Sequence, residues 1–229
     1  MLLRALLILL VLAACGRPLT PAEVEFVTGL NGGTVDTSRI RLVDGTPATA
    51  ITFRRPARPR VTCRELILPP VEEKIVTGKP GAVAVFNRVY VRKDMFLDDY
   101  LRDYPDEISL LAAMFFAHEM THVWQWQNRK QTGYHPLKAA SEHGNGKDPY
   151  LFEIQDQSDF LSFEYEQQAS IVEEYVCCRA LARDAPRTQR LHDMIAQSFP
   201  VADLDDDLLG RAVRLPWSGA EVNGICGEV

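Results

Sequence analysis

The pattern of apolar and polar residues predicts one long helix in the middle of the chain. The chain between residues 105–107 and Gly133 is mostly apolar. The proline and two acidic residues at 105–107 suit a helix N-terminus, and Gly133 suits a helix end. These signals predict a helix of about 26 residues. Leu111 and Phe115 share a helix face with His118, so the apolar part of that face can be buried.

Shorter patterns on either side predict strands and further helices. Residues 39–43 and 50–53 predict short strands, and residues 81–91 carry the strongest strand signal, with a turn or bulge near Asn87. A second long helix is predicted around residues 164–175. The elements together predict an α+β domain with two long helices and a small mixed or antiparallel sheet.

Capping residues and prolines predict where the helices in the second half of the chain begin and end. Ser162 can cap the start of the helix around residues 164–175, and Pro186 marks its end. A short amphipathic helix is predicted over residues 186–198, because its apolar residues recur at helical spacing.

The N-terminus has the features of a bacterial lipoprotein signal peptide. Residues 1–14 hold one early cation and an apolar run shorter than the roughly 20 residues of a membrane span. Residues 12–15, Leu-Ala-Ala-Cys, resemble a lipobox, which implies cleavage before Cys15 and acylation of that cysteine. The residue after Cys15 is Gly16 rather than aspartate, which favours a location on the periplasmic face of the outer membrane. The alternative is an ordinary signal peptide followed by a chance cysteine.

This interpretation divides the chain into a signal peptide at 1–14, a lipidated N-terminus and tether at 15–38, and a single domain at 39–229. Proline and glycine residues through the early part favour the tether. The lipid would attach the protein to a membrane without a spanning helix. The net charge of −6 and the lack of a basic patch argue against nucleic acid as a partner.

Four cysteines follow Cys15, and an even number in an oxidising compartment permits two disulfides. Neighbouring cysteines in a helix bridge each other poorly, so Cys177 and Cys178 are predicted to pair separately with Cys63 and Cys226. Which of them pairs with which stays open. Thiolate metal ligands are the rival interpretation, which the absence of a Cys-x-x-Cys pair disfavours.

The candidate chemistry lies in a His-Glu-x-x-His string on the central helix. His118 and His122 are four residues apart, so a helix places both imidazoles on one face within reach of one metal ion. Glu119 follows the first histidine, and its carboxylate can take a proton from a water molecule held by zinc. The alternative is a chance match in which both histidines are core residues.

A catalytic zinc site usually has three protein ligands, so the third ligand decides the class. Metzincins place a histidine six residues after the second one, but this chain has Asn128 there, and Gln125 replaces their glycine. That class is excluded. The remaining candidate for the third ligand is a glutamate from the second predicted helix, which has several glutamates within residues 164–174.

The two motifs together resemble those of the gluzincin metallopeptidases. Their second motif is commonly Glu-x-x-Ala-Asp, and Glu166-Gln-Gln-Ala-Ser170 matches its glutamate and alanine. The resemblance implies a zincin-like fold with Zn²⁺ held by the two histidines and Glu166. The family aspartate commonly hydrogen-bonds a ligand histidine, so Ser170 in its place leaves the outer partner of that histidine open. Glu173, two turns beyond Glu166, is one substitute as an outer partner.

Over roughly residues 81–180, the sequence also resembles poorly characterised bacterial proteins that are associated with Vgr or Rhs elements and labelled metallopeptidases. The resemblance implies a zinc-dependent hydrolase that cleaves a peptide or protein substrate in the cell envelope. Glu119 would be the general base, and the strand before the central helix would pair with an extended substrate. Tyr165, His135 and His143 are candidate donors to the transition state.

Two other functions fit the same residues. A catalytically inactive zincin fold could serve as a binding or assembly module in the envelope or a secretion system. It would need the metal ligands for folding but not Glu119. An active site could also cut peptidoglycan peptides rather than proteins.

Overall fold

The computed structural model describes residues 16–46, 52–143, 148–153, 159–203, 208–210 and 212–227. Within these ranges the protein is mixed α+β, with several helices and three small sheets. The helices are α1 (Pro21–Asn31), α2 (Cys63–Ile67), α3 (Leu110–Gln127), α4 (Arg129–Thr132), α5 (Pro136–Glu142), α6 (Tyr165–Leu181) and α7 (Pro186–Ala196). The strands are β1 (Arg41–Asp44), β2 (Phe53–Pro56), β3 (Ile75–Gly78), β4 (Ala82–Val85), β5 (Arg88–Val91), β6 (Glu107–Ser109) and β7 (Ala212–Arg214).

The two longest helices, α3 and α6, pack against each other at the centre of the core. Phe116 and Trp124 of α3 and Val172 and Tyr175 of α6 are fully buried. Both helices are buried on most sides, which explains the nearly continuous apolar run that predicted α3.

The predicted central helix is confirmed, but it begins later than predicted. α3 starts at Leu110, because residues 107–109 form β6 and pair in parallel with β7. The proline and acidic residues at 105–107 therefore lead into a strand. At the other end, Asn128 separates α3 from the single turn of α4. Gly133 ends that turn in the left-handed conformation, at φ 64°, as predicted.

The segment 81–91 forms a hairpin, which confirms the strongest strand prediction. β4 and β5 pair antiparallel, and the chain turns at Phe86 and Asn87, with Phe86 at φ 58°. β1 pairs in parallel with β5, so the sheet order is β1-β5-β4, and β4 lies at an edge beside α3. Half of the strand predicted at 50–53 falls outside the described residues, and β2 begins at Phe53.

The prediction of a tether at residues 15–38 is wrong for most of that segment, because α1 belongs to the core. Thr20 caps α1 through a capping box with Glu23, and Phe26 and Leu30 are fully buried. The proline and glycine residues that suggested a tether mark the two ends of this helix instead. The packed structure thus includes residues that were predicted to precede the domain.

The predicted signal peptide at 1–14 and Cys15 lie outside the described residues. Among the residues that are described, no helix is both long enough and apolar enough to cross a membrane.

α6 lies in the second predicted helical segment, but its ends differ from those predicted. Glu164, rather than Ser162, caps it through a capping box with Gln167, while Ser162 ends a short 3-10 turn. The helix ends at Leu181. Pro186 begins α7, where a proline in the first turn is favourable, and α7 confirms the predicted amphipathic helix.

Two disulfides connect α6 to other parts of the chain. Cys63 bonds to Cys177 and Cys178 bonds to Cys226, which confirms that the neighbouring cysteines pair separately. The first disulfide joins α2 to α6, and the second joins the C-terminal segment to α6. The sulfurs of Cys63, Cys178 and Cys226 lie within 4.8 Å of one another, but each belongs to a disulfide and is not a free thiolate.

Two glycines after α1 should respond differently to alanine. Gly32 and Gly33 have φ values of 56° and 75°. A Cβ at Gly32 would lie 2.0 Å from the carbonyl oxygen of Pro200, whereas one at Gly33 would meet nothing within 4 Å. We expect Gly32→Ala to lower the free energy of unfolding by about 3 kcal/mol, and Gly33→Ala by about 1 kcal/mol. Urea unfolding followed by circular dichroism measures both, and equal losses would contradict the close packing at Pro200.

Candidate metal centre

α3 presents the His-Glu-x-x-His residues on a buried face. His118, Glu119 and His122 are only 8 %, 6 % and 8 % exposed. The two imidazole rings lie one helical turn apart, with 5.0 Å between their centroids. The spacing in the sequence therefore places both rings side by side, as predicted.

α6 brings Glu166 against both histidines. Its Oε2 atom lies 3.2 Å from Nε2 of His118 and 3.3 Å from Nε2 of His122. Two ligands that hold one zinc ion tetrahedrally at about 2.0–2.1 Å are roughly 3.3 Å apart. Both distances from Glu166 match that spacing, and the three donor atoms lie within 4.8 Å of one another.

A carboxylate from α5 fixes the N-terminus of α6. Glu142 accepts hydrogen bonds from the backbone N–H groups of Tyr165 and Glu166, each 3.1 Å long. The first N–H groups of a helix lack partners within the helix, and negative charge is favourable there. Glu142 thereby sets the position of Glu166. Glu142 could not be identified from the sequence, because a contact between residues 24 positions apart leaves no periodic signal.

Both histidines donate from Nδ1 to a protein acceptor, which leaves Nε2 for a metal ion. His118 Nδ1 lies 3.2 Å from Oε2 of Glu173, and an ionised carboxylate can only accept. His122 Nδ1 lies 2.9 Å from Oε1 of Gln125, whose amide nitrogen donates to the carbonyl of Tyr165. Such partners fix the tautomer and the ring orientation of metal-binding histidines.

Glu173, which was predicted as an outer partner of a histidine in place of Ser170, lies 3.2 Å from His118. Ser170 is buried and lines a cavity of about 420 Å³ between α2 and α6. Arg64 of α2 pairs with Glu173, at 2.5 Å. Burial raises the pKa of Glu173, but Arg64 and His118 outweigh it and lower that pKa to about 2. Glu173 is therefore an anion at neutral pH. Arg64 could not be identified from the sequence.

The carboxylates around the two histidines make the site attractive to positive charge. Burial opposes protonation of His118, but its hydrogen bonds with Glu166 and Glu173 outweigh burial and raise its pKa to about 10. Burial also opposes protonation of His122, and Glu166 again outweighs it and raises the pKa. Against the effect of burial, the two histidines lower the pKa of Glu166 well below its usual value. Surroundings that stabilise buried imidazolium groups also stabilise a bound cation.

Glu119 differs from the other two carboxylates. Burial raises its pKa, although the two neighbouring histidines oppose that rise. Its Oε2 atom is buried and has no hydrogen-bond partner among the described residues. A carboxylate with a raised pKa and an unpartnered oxygen is suited to accept a proton from a molecule bound in the site.

Tyr150 and His143 lie beside the three candidate ligands. His143 Nε2 is 3.3 Å from Oε1 of Glu166 and 3.3 Å from the Tyr150 hydroxyl. The Tyr150 ring lies 5.9 Å from the His118 ring, measured between centroids. Burial and the nearby carboxylates raise the pKa of Tyr150, so its hydroxyl keeps its proton and can donate.

The other two predicted donors point elsewhere. The Tyr165 hydroxyl donates to the carbonyl of Gly133, and His135 Nδ1 accepts the backbone N–H of Leu137 at the start of α5. Of the three residues predicted as donors, His143 alone lies at the site. Tyr150 received no role from the sequence, because its loop has no regular spacing that would place it.

The residues that meet here fit a zinc ion. Two imidazole nitrogens and one carboxylate oxygen form the ligand set of a catalytic zinc site, which keeps a fourth position for water or substrate. The spacing of the donor atoms and the unpartnered oxygen of Glu119 agree with that assignment. Imidazole and carboxylate groups also bind other divalent transition metals, so the donors alone do not select zinc.

Zinc binding should strengthen as the pH rises. With its pKa raised to about 10, His118 carries a proton on each ring nitrogen at neutral pH, and a metal ion must displace the one on Nε2. Each proton released raises the apparent affinity about tenfold per pH unit below that pKa. Titration of zinc against a competing chelator at several pH values near neutrality measures this slope. An affinity that does not change with pH would contradict the coupling.

Comparisons with known proteins identify one protein with a similar fold but no family. No protein-family model matches the chain, and no curated protein matches it. A solved structure, the effector domain of Pseudomonas aeruginosa VgrG2b, matches with a TM-score of 0.52 and 24% sequence identity. The match covers 80% of this chain and 84% of that domain. At this identity the likeness shows that the two proteins share a fold.

Proposed function

We propose that this protein is a zinc-dependent hydrolase of the metallopeptidase class. The observation that carries this proposal is the meeting of His118, His122 and Glu166, with the unpartnered carboxylate of Glu119 beside them. The resemblance of both motifs to those of gluzincins supports the same reaction and a zincin-like fold. The fold shared with a VgrG2b effector domain agrees with the resemblance to Vgr-associated proteins.

Each residue of the site has a role in this reaction. His118, His122 and Glu166 would hold the metal ion, while Glu173 and Gln125 keep the two imidazoles in the orientation that binding requires. A bound zinc ion supplies a Lewis acid that lowers the pKa of water and polarises a carbonyl group. Glu119 accepts the proton of the attacking water and passes it to the leaving amine.

Tyr150 is the best-placed donor to the negative charge that develops on the substrate carbonyl oxygen. It lies beside His118, and its raised pKa keeps the hydroxyl neutral, so it can donate a hydrogen bond at neutral pH. His143 contacts both Tyr150 and Glu166 and supports the same function.

The edge strand β4 suits an extended peptide substrate. Among the described residues, β4 has a pairing partner on one side only, and it lies against α3. An extended peptide can add to such an edge through backbone hydrogen bonds, which would align its scissile bond with the helix that carries Glu119. This arrangement favours a peptide or protein substrate over a small molecule.

The proposed location is the bacterial cell envelope, with a lipid on Cys15. Two disulfides agree with an oxidising compartment such as the periplasm. The substrates are then envelope proteins or peptidoglycan peptides.

A peptide-library assay tests the proposed activity. The purified protein is incubated with the library after zinc loading, after removal of the metal by a chelator, and after zinc is restored. We expect cleavage with zinc, none after chelation, and recovery on restoration. A protein that binds zinc but cleaves neither this library nor peptidoglycan peptides would instead be a binding or assembly module.

A further inference from the structure

Arg64 reaches the candidate metal centre through one intermediate residue. Its Nη1 atom lies 2.5 Å from Oε1 of Glu173, and the other carboxylate oxygen of Glu173 lies 3.2 Å from Nδ1 of His118. Glu173 therefore uses one oxygen for each neighbour. The guanidinium of Arg64 fixes the position of the Glu173 carboxylate. The Oε2 atom of that carboxylate in turn orients the ring of His118.

α2, which carries Arg64, is too short to hold this contact unaided. It has five residues, fewer than an isolated helix needs to be stable. The adjacent Cys63 is bonded to Cys177, which lies one turn beyond Glu173 on α6. The backbone N–H of Cys63 also donates to the carboxylate of Glu174, at 3.0 Å. These links fix α2 against the part of α6 that carries Glu173.

A neighbouring ion pair, which joins α6 to α7, provides a comparison. Arg187 pairs with Glu174 at 2.8 Å, and both side chains are largely buried. Glu174 follows Glu173 directly, but its carboxylate contacts the backbone of Cys63 instead of a histidine. If Arg64 served only the stability of the fold, its loss should resemble the loss of Arg187.

We propose that Arg64 is a positioning residue of the metal centre, and that the Cys63–Cys177 disulfide holds it in place. Arg64 anchors Glu173, and Glu173 orients His118 so that its Nε2 atom faces Glu166 and the metal ion. This inference rests on the proposed function, since it assigns an outer partner to that same zinc site.

Zinc affinity in matched variants tests the role of Arg64. We expect Arg64→Met to weaken zinc binding by about 10-fold to 100-fold, which is the usual effect of removing an outer partner of a ligand. Arg187→Met should lose stability and keep the zinc affinity of the wild type, because Arg187 pairs with Oε1 of Glu174 while the Cys63 N–H still donates to Oε2. Arg64→Lys restores a positive charge and should recover part of the affinity. If Arg64→Met does not fold, Arg64→Lys measured beside Arg187→Met carries the comparison.

Activity at saturating zinc gives a second readout. A misoriented His118 should lower the kcat of Arg64→Met and leave KM within about twofold, because Arg64 does not contact the peptide in this account. A variant with unchanged kcat and unchanged zinc affinity would overturn the role of Arg64.

Removing each disulfide in turn tests whether the Cys63–Cys177 bond holds Arg64 in place, with the Cys178–Cys226 bond as the control. Replacing Cys63 and Cys177 by serine should reproduce the loss of zinc affinity seen in Arg64→Met. Replacing Cys178 and Cys226 should lower the unfolding temperature and leave the zinc affinity unchanged. Equal zinc affinities in the two double variants would overturn the role of the first disulfide.

Measurements on the wild-type protein distinguish a failure of this inference from a failure of the proposed function. A wild-type protein that takes up no zinc overturns the metal centre itself. A wild type that binds one zinc ion, beside an Arg64→Met variant of equal affinity and kcat, overturns the assignment of Arg64 alone.

Discussion

Replacing Glu119 by glutamine should lower kcat about a thousandfold while one zinc ion per chain stays bound. Glutamine has nearly the same shape as glutamate, but it cannot accept the proton of the attacking water. Glu119 is buried, its pKa is raised mainly by that burial, and one of its oxygens has no partner among the described residues. The substitution should therefore remove a proton acceptor without disturbing a structural contact.

Turnover of a peptide substrate and zinc content by atomic absorption should be measured on the same preparation of Glu119→Gln. Glu25→Gln is a suitable control, because it makes the same chemical change at an exposed position on α1. A Glu119→Gln variant with near wild-type turnover would show that another group takes the proton. A variant that loses its zinc would show that Glu119 supports the metal centre rather than proton transfer.

Replacing Glu166 by glutamine should weaken zinc binding by more than about 100-fold and abolish activity. The substitution removes the charged oxygen that lies 3.2–3.3 Å from both imidazole nitrogens. The fold should survive, because Glu142 holds the N-terminus of α6 through the backbone N–H of residue 166, which the variant keeps.

The same variant should lower the pKa of His118 from its raised value of about 10, since Glu166 is one of the two carboxylates that raise it. NMR titration of the zinc-free protein measures this change, and competition with a chelator measures the affinity. Glu164→Gln is the matched control, because Glu164 lies at the same end of α6 and is exposed. Equal zinc affinities in the two variants would mean that Glu166 is not a ligand.

The inner part of the candidate site could be predicted because helix geometry alone determines it. Residues four apart face the same way, so His118 and His122 had to lie together once α3 formed. Glu173 lies two turns from Glu166, and that spacing was enough to suggest it as a partner for a histidine. The separate pairing of Cys177 and Cys178 followed from the poor geometry of a bridge between neighbours.

The supporting residues could not be predicted, because they reach the site from distant parts of the chain. Arg64 pairs with a residue 109 positions away, and Glu142 contacts a residue of α6 that lies 24 positions away. A single charged residue leaves no periodic pattern, so the sequence cannot show which opposite charge or helix end it will meet. Tyr150 went unrecognised for the same reason.

Two errors in the predicted fold have a common physical origin. Proline, glycine and acidic residues mark the boundary of an element but do not identify the element on the other side. At residues 105–107 they lead into β6, whose partner β7 lies more than 100 residues away. In the segment 15–38 they bound α1, and the buried Phe26 and Leu30 make that helix part of the core.

The central claim is that His118, His122 and Glu166 hold one zinc ion. Anomalous diffraction at the zinc absorption edge, from crystals of the zinc-loaded protein, tests it most directly. We predict a single strong peak within about 2.0–2.2 Å of both Nε2 atoms and of one carboxylate oxygen of Glu166. No peak at this position, or a peak bound by other residues, would contradict the account.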